Sequence, residues 1–313
     1  MMSSLGIMLL KKQFRKSISV LIVVIIYLFL VSPGETCAQG PPINTDTPIM
    51  LGLEGRGIRT FARFVRRASL LQDDKEIPDD LDQRVLVRVT PVVVPYNLFS
   101  DRFQVSVIVP FVDVDFESTT QDMSSFGIGD VRFFAKYLLL QIDRKKETFR
   151  VASKAGIKFP TGDENEAPAL GSGSTDFFFS TVAGWVKNRI GIYLEGIYNL
   201  NTSHDQVDFG NSFAYNLAFG YRLLPAVYET YPSPQLNGFL EINGTTTAKS
   251  EVNGAVNDNT GGTSVFLAPG LQYVGGRRWL VEASLQIPIV NEPNGTQLAT
   301  DWTVSIGTRI LLF

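Results

Sequence analysis

Apolar and polar residues alternate with a period of two along much of this chain. In the stretch Thr148–Gly173, Val151, Ala155 and Ile157 share one parity, whereas Arg150, Lys154 and Lys158 share the other. Side chains of a β-strand point alternately to opposite faces, so this stretch predicts a strand with one apolar and one cationic face. The strand runs into PTGDENEAPALGSGS, whose acidic and glycine-rich composition predicts a long loop.

About twelve runs of this kind follow one another between Gly55 and Phe313. Large aromatic residues lie on the apolar side, and no stretch after Val31 has the roughly 18 consecutive apolar residues that a helical span needs. Apolar-outside, polar-inside strands with long loops at one end are typical of membrane barrels. We therefore predict an all-β fold, a single transmembrane antiparallel β-barrel of about twelve strands over residues 55–313. The alternative is a soluble sandwich whose apolar parity packs inside.

Long and short connections alternate between the predicted strands. Among the long ones are Pro160–Ser174, Asn201–Asn211 and Asn291–Asp301, whereas Lys187–Arg189 is short. Outer-membrane barrels have short periplasmic turns and long external loops. An even number of strands then places both termini in the periplasm.

The N-terminus has the organisation of a secretory signal peptide, which we assign to residues 1–38. Four basic residues precede the apolar run Ile18–Val31, and Thr36-Cys37-Ala38 offers small residues for cleavage. A lipoprotein modified on Cys37 and an uncleaved anchor are the alternatives. Residues 39–54, rich in Pro and Thr, are predicted to form a periplasmic segment. Cleavage removes the only cysteine and changes the net charge from −3 to −6, which gives no reason to expect nucleic-acid binding.

The chain ends in an aromatic residue, Phe313. A terminal aromatic is the usual signal for the barrel assembly machinery, so we predict this machinery as a partner. Its parity differs from that of Ile306 and Ile310, and a bulge near the end would restore the pattern.

Three blocks of the sequence resemble a known family. GIGDVRFFAKYLL spans Gly127–Leu139, KFPTGD spans Lys158–Asp163, and a G-x-G-x-x-D pattern ends at Asp176. Together they resemble the outer-membrane transporter family named for the meta-pathway of phenol degradation. The motif positions are Gly127, Gly129, Asp130, Lys136, Tyr137, Pro160, Thr161, Gly162, Asp163 and Asp176.

The resemblance implies a barrel in outer-membrane lipid that passes small organic, including aromatic, solutes without a cofactor. A closed structural or surface-interaction barrel and an outer-membrane hydrolase are the alternatives.

Charge on the polar parity is unevenly distributed. Basic residues cluster on the first five predicted strands, and glutamates lie on the seventh, ninth and eleventh. The predicted lumen-lining residues are Arg84, Arg88, Arg132, Lys136, Arg150, Lys154, Lys158, Glu195, Glu241 and Glu282. Two interpretations remain open: a cationic wall facing an acidic one across a pore that filters solutes, or mutual neutralisation in a filled interior.

The single histidine, His204, gives little support for catalysis. It lies in NTSHD, a predicted external loop, beside Ser203. A hydrolase would need the base held near its nucleophile by a third group. We therefore predict no enzyme activity, no catalytic residue, and no metal or cofactor site. The carboxylates of DDKEIPDD and DENE suit Ca²⁺ by atom type but match no defined loop motif.

Overall fold

The structure is a computed structural model that describes residues 40–227 and 233–312. The predicted signal peptide 1–38 and the terminal Phe313 lie outside these residues. No helix in the described part of the chain is long and apolar enough to cross a membrane.

Twelve long strands form the wall of the barrel within the described residues. They are β1 (Arg56–Gln72), β2 (Arg84–Asn97), β3 (Phe103–Glu117), β4 (Asp122–Ile128 and Arg132–Arg144), β5 (Glu147–Lys158), β6 (Asp176–Lys187), β7 (Ile190–Leu200), β8 (Ser212–Leu224), β9 (Gln235–Thr247), β10 (Gly262–Val274), β11 (Trp279–Pro293) and β12 (Thr296–Leu312). The two pieces of β4 pair with successive parts of β3 and so act as one strand.

Each strand pairs antiparallel with the next along the chain, and β12 pairs with β1 to close the barrel. Ile58 lies opposite Ile310 at this seam, and the pairing continues to Gln72 opposite Thr296. The prediction of an all-β, closed, antiparallel twelve-stranded barrel is confirmed. Closure leaves no unpaired sheet edge, which a bilayer would not tolerate.

The two faces of the wall differ sharply in polarity. Outward side chains are large and apolar: Phe179 is 55% exposed, Leu194 59% and Leu271 55%. Inward positions of the same strands are polar and buried, with Glu241 and Gln272 both at 0% exposure. Such an exterior is stable in hydrocarbon rather than in water, as in membrane-spanning barrels. The soluble-sandwich alternative is therefore wrong.

The longest connections lie at one end of the barrel and most short ones at the other, although residues 225–234 form a longer connection at the short-turn end. The long loops cover residues 159–175, 201–211 and 248–261, whereas residues 145–146 and 188–189 form two-residue turns. Four two-residue strands in the long loops, Ser203–His204, Val207–Asp208, Glu251–Val252 and Ala255–Val256, form a small second sheet.

The prediction of a long loop over Asn291–Asp301 is wrong. Strands β11 and β12 extend past the membrane-facing part of the wall and leave only a turn at residues 294–295. Gly295 has a φ of +59° there, a backbone conformation that glycine adopts without strain. Its N–H donates to Asp73 at 3.0 Å, which ties this hairpin to the loop after β1.

Candidate functional site: the barrel lumen

Residues 40–50 lie inside the barrel, and we call this segment the plug. Its Pro41 carbonyl accepts a hydrogen bond from Gln272 on β10 at 2.8 Å, and its Pro42 carbonyl accepts one from Arg309 on β12 at 2.5 Å. Further along, the plug contacts Lys136 on β4. Because one segment reaches strands all around a closed wall, it occupies the lumen. The structure thus differs from the periplasmic tail predicted for residues 39–54.

Glu241 on β9 holds the tip of the plug. Its carboxylate accepts the backbone N–H groups of Ile43 at 2.9 Å, Asn44 at 3.0 Å and Thr45 at 2.7 Å, as well as the Thr45 hydroxyl at 2.7 Å. A fully buried carboxylate is costly unless hydrogen bonds replace its water. These four donors supply that replacement without any cation.

Asp46 forms the second anchor of the plug, between two lysines. Its carboxylate lies 3.2 Å from the Lys136 ammonium and 2.9 Å from that of Lys154. Lys154 also pairs with Glu195 on β7 at 2.9 Å, and Glu195 accepts the Asp46 N–H at 3.0 Å. Two cations and two anions therefore balance at the centre of the lumen. We call Asp46, Lys136, Lys154 and Glu195 the latch.

The charge on Asp46 is stabilised by its surroundings. Burial by itself raises the pKa of the carboxyl, but the ammonium groups of Lys136 and Lys154 and the Thr47 N–H more than offset this. The net result is a pKa well below the ordinary value of an aspartate. Asp46 therefore stays ionised in mild acid.

A third polar cluster surrounds Glu282 on β11. Its carboxylate pairs with Arg309 at 3.0 Å and with Arg59 at 3.3 Å, and accepts the Gln272 amide at 2.9 Å. Arg59 and Arg309 also donate to plug carbonyls, Ile43 and Pro42 respectively. This cluster thus links β1, β10, β11 and β12 to the plug.

The end of the plug that leads into β1 packs on a small apolar surface. Met50 lies against Leu138, Ala152 and Val182, which are all buried. A Cβ at Gly184 would come within 2.8 Å of Pro48, so the plug approaches the wall closely here. Polar anchors at the tip and apolar packing at the base together hold the plug in the lumen.

The family-motif residues converge at the long-loop mouth. Asp130 accepts the backbone N–H of Gly162 at 3.0 Å and of Ser172 at 3.1 Å, and the Thr161 hydroxyl donates to the Gly129 carbonyl at 2.9 Å. The motif thus fastens the loop 159–175 to the connection inside β4. Pro160 and Asp163 are exposed, Gly127 is half-buried against Leu170, and Tyr137 faces outwards at 47% exposure.

Lys158 lies beneath this loop and completes the motif cluster. Its ammonium is 2.5 Å from Asp176 and 3.2 Å from Asp130. Asp176 also accepts the Thr202 N–H at 2.9 Å, which connects the cluster to the next long loop.

Two of the predicted lumen-lining residues lie on the outer face. Arg88 pairs with Asp113 at 2.9 Å and Asp115 at 2.7 Å, and Arg84 pairs with Asp82. Both arginines share the parity of Val94, which is 45% exposed on the outside. The sequence predicts that Arg84 and Arg88 line the lumen, but they face outwards. Outward residues at a strand end beyond the hydrocarbon contact water and can therefore carry charge.

The other predicted lumen residues share the inward parity but differ in their partners. Arg150 pairs with Asp143 at 3.2 Å near the short turn 145–146. Arg132 is exposed and lies in register with Lys158. Lys136, Lys154, Glu195 and Glu241 contact the plug directly. Glu282 reaches it through Arg59 and Arg309.

The histidine of the external loops lies beside two carboxylates. His204 Nε2 is 2.8 Å from Glu164 and 3.5 Å from Asp205, and these three side chains are the group within the described residues that could hold a metal ion. Ser203 and His204 are successive residues of one short strand, so their side chains point to opposite faces and do not form a Ser–His pair.

Mild acid should leave the latch intact. An aspartate with a depressed pKa stabilises the folded state above its unfolded pKa of about 3.9, and this contribution is lost only as the pH falls through the lower folded value. We expect the fraction of time that the wild-type barrel conducts in planar bilayers to be unchanged between about pH 7 and pH 5. A transition in this window that disappears in Asp46→Asn would contradict the assignment.

Asp130→Ala should release the loop 159–175. The change leaves two backbone N–H groups without their acceptor and removes one partner of Lys158, at a cost of about 1–3 kcal/mol. Limited proteolysis of detergent-solubilised protein should then cut within residues 159–175 much faster. The matched control is Asp163→Ala, since Asp163 is exposed and accepts only the nearby Asn165 N–H. Equal cleavage of both variants would exclude the proposed fastening.

Known proteins support the fold. Residues 80–303 match the model of the family described as "Putative MetA-pathway of phenol degradation". A search of curated proteins finds no match. The chain is similar to the crystal structure of an outer membrane channel from Pseudomonas putida F1, with 11% identity and a TM-score of 0.71 over 87% of this chain and 100% of that chain.

Two other solved barrels are more distant. The β domain of the Bordetella autotransporter BrkA has 11% identity and a TM-score of 0.49, covering 84% of this chain and 100% of that one. The CymD monoaromatic hydrocarbon channel has 11% identity and a TM-score of 0.40, covering 83% and 89%. The similarity to the P. putida barrel shows that the closed twelve-stranded architecture is shared.

Proposed function

Because the chain belongs to the family of the MetA pathway of phenol degradation, we propose that it is an outer-membrane channel for small organic solutes, including aromatic ones. Passage is passive, and the plug closes the lumen in the present state. One observation carries this proposal: the lumen is filled by a peptide segment that belongs to no wall strand. Among the described contacts, the wall holds the plug tip through its side chains and not through its own backbone, so the plug can leave while the wall stays closed.

The lining on the long-loop side of the plug supports a hydrated passage. Asn216 on β8 accepts a hydrogen bond from Asn243 at 3.0 Å, and Asn243 accepts one from Gln286 at 3.0 Å. Neutral amides of this kind offer donors and acceptors to water and to polar solutes without binding any of them tightly. An interior built only for structural closure would gain more from apolar packing.

The topology supports a definite orientation. Short turns and both ends of the described chain lie at the same end of the barrel, which we assign to the periplasm. The solutes then enter between the long loops and meet the motif cluster before the plug. The apolar exterior contacts outer-membrane lipid, and assembly would use Phe313 as its recognition signal.

A closed structural barrel is the second candidate, and it applies if the plug never leaves the lumen. The third candidate, a hydrolase, lacks an arranged nucleophile and base in the described loops. The outcome therefore depends on whether any state of the barrel conducts.

Liposome swelling tests the proposal directly. The full mature chain and a variant without the plug contacts are reconstituted, and swelling is measured with glucose and with phenyl β-glucoside, an aromatic solute that crosses lipid slowly. We expect both solutes to pass through the variant. Relative to glucose, phenyl β-glucoside should pass at least as fast as its larger size alone would predict. If liposomes containing either protein swell no faster than protein-free liposomes, the protein is a closed structural barrel.

A further inference from the structure

Most inward cations of the lumen have a carboxylate partner. Lys136 and Lys154 pair with Asp46, and Lys158 pairs with Asp176. Arg63 and Arg67 on β1 differ, since neither has an ion pair among the described contacts. The Nε of Arg63 only donates to the Ser305 hydroxyl at 3.4 Å.

These two arginines follow one another along the inner face of β1. Arg63 lies one inward position beyond Phe61, with its guanidinium carbon 5.1 Å from the centroid of that ring. Arg67 is two inward positions further towards the long loops and is exposed. At about 3.3 Å per residue the two Cα atoms are roughly 13 Å apart, so their side chains can reach one anion between them.

The neighbouring strand presents an apolar surface beside the arginines. Val89 is in register with Arg63, and Val85 with Arg67, so the inward side chains of β2 lie next to the guanidinium groups. Val87 lies between them and is in register with Val114 of β3, which extends the apolar wall by one strand. These β2 valines are only partly buried, and so they are open to a solute.

The floor of this surface is the plug. A cavity of about 10 Å³ separates the plug residues Ile43 and Asn44 from Arg59, Phe61 and Arg63. That volume holds no more than one water molecule. A solute that enters from the long-loop side would therefore stop beside Arg63 while the plug is in place.

We propose that the inner face of β1 and β2 is a binding site for amphiphilic monoanions, such as aromatic carboxylates, above the plug. The carboxylate binds Arg63 and Arg67, and the hydrocarbon part lies on Val85, Val87 and Val89. This assignment rests on the proposed function, because it names the solute class of that channel.

Electrostatics favours binding of amphiphilic monoanions over neutral or cationic molecules of the same shape. Two guanidinium groups without counter-charges in a narrow lumen gain from an anion, and guanidinium binds a carboxylate with paired N–H donors. The valine wall adds apolar contact that an inorganic anion cannot use. A cation of the same shape meets repulsion from both arginines.

Equilibrium dialysis of the detergent-solubilised full-length protein tests the site. The probes are benzoate, benzyl alcohol and benzylammonium, with chloride as competitor. We expect benzoate to bind at least about tenfold more tightly than the other two, and Arg63→Gln with Arg67→Gln to remove this preference. The matched control is Arg84→Gln, because Arg84 lies on the outer parity and pairs with Asp82.

Three results would overturn the site: equal affinity for benzoate and benzyl alcohol, benzoate binding unchanged in the double variant, or full displacement by an equal concentration of chloride. Swelling assays distinguish failure of the proposed anion-binding site from failure of the proposed channel function. Conduction without a benzoate preference removes only the site, whereas benzoate binding in a barrel that never conducts removes only the channel.

Discussion

Replacing residues 40–50 by a glycine-serine sequence of equal length should turn a closed barrel into a conducting one. The exchange removes the donors to Glu241, the Asp46 carboxylate between two lysines and the Met50 packing. A flexible linker of this composition has no preferred structure with which to refill the lumen. We expect stable single-channel currents in planar bilayers under conditions in which the wild type is mostly closed.

The open state should also prefer anions. Without Asp46, Lys136 and Lys154 face the lumen with Glu195 as their remaining carboxylate, so the net charge of the latch becomes positive. Reversal potentials in a salt gradient should therefore shift towards the anion potential. A barrel that remains closed after the exchange would mean that something other than the plug blocks it.

The second large effect is expected from Lys154→Met, which should destabilise the barrel by about 3–5 kcal/mol. Lys154 lies 2.9 Å from both Asp46 and Glu195. Its removal leaves the buried Glu195 carboxylate and the partly buried Asp46 carboxylate with Lys136 as the only nearby ammonium of the latch. The measurement is the midpoint of urea unfolding in lipid vesicles, followed by tryptophan fluorescence.

Lys187→Met is the matched control for this substitution. The Lys187 ammonium is 3.6 Å from Glu147, and its side chain is 50% exposed. Such surface pairs contribute less than about 1 kcal/mol. A similar loss in both variants would show that the cost comes from the change of side chain rather than from the buried charges.

The sequence predicts the strands of the barrel wall well because their alternation of apolar and polar residues is a local property of the sequence. Alternation along β5 and β6 follows directly from the two media that their faces contact. The outer ends of the strands are less predictable. Arg84 and Arg88 are charged although they face outwards, because outward positions beyond the hydrocarbon contact water. The turn at residues 294–295 is not predicted because the polar ends of the two strands resemble loops in sequence.

The plug could not be predicted from the local pattern. Residues 40–50 show no periodicity, and their contacts are with residues far away in the sequence, such as Glu241 and Arg309. One indirect signal existed in the excess of basic over acidic residues on the predicted inward parity. Charges in a narrow interior need partners, and Asp46 supplies one of the missing carboxylates.

Glu241 binds the plug mainly through peptide N–H groups, and the Thr45 hydroxyl and the Asn44 side-chain amide also donate to it. Each non-proline residue carries such a donor whatever its side chain. The identity of residue 43 is therefore only weakly constrained by this carboxylate, and substitutions there can accumulate so long as proline is avoided. At Ile43 the plug is therefore held by its main chain, whereas Asp46 and Met50 hold it by their side chains.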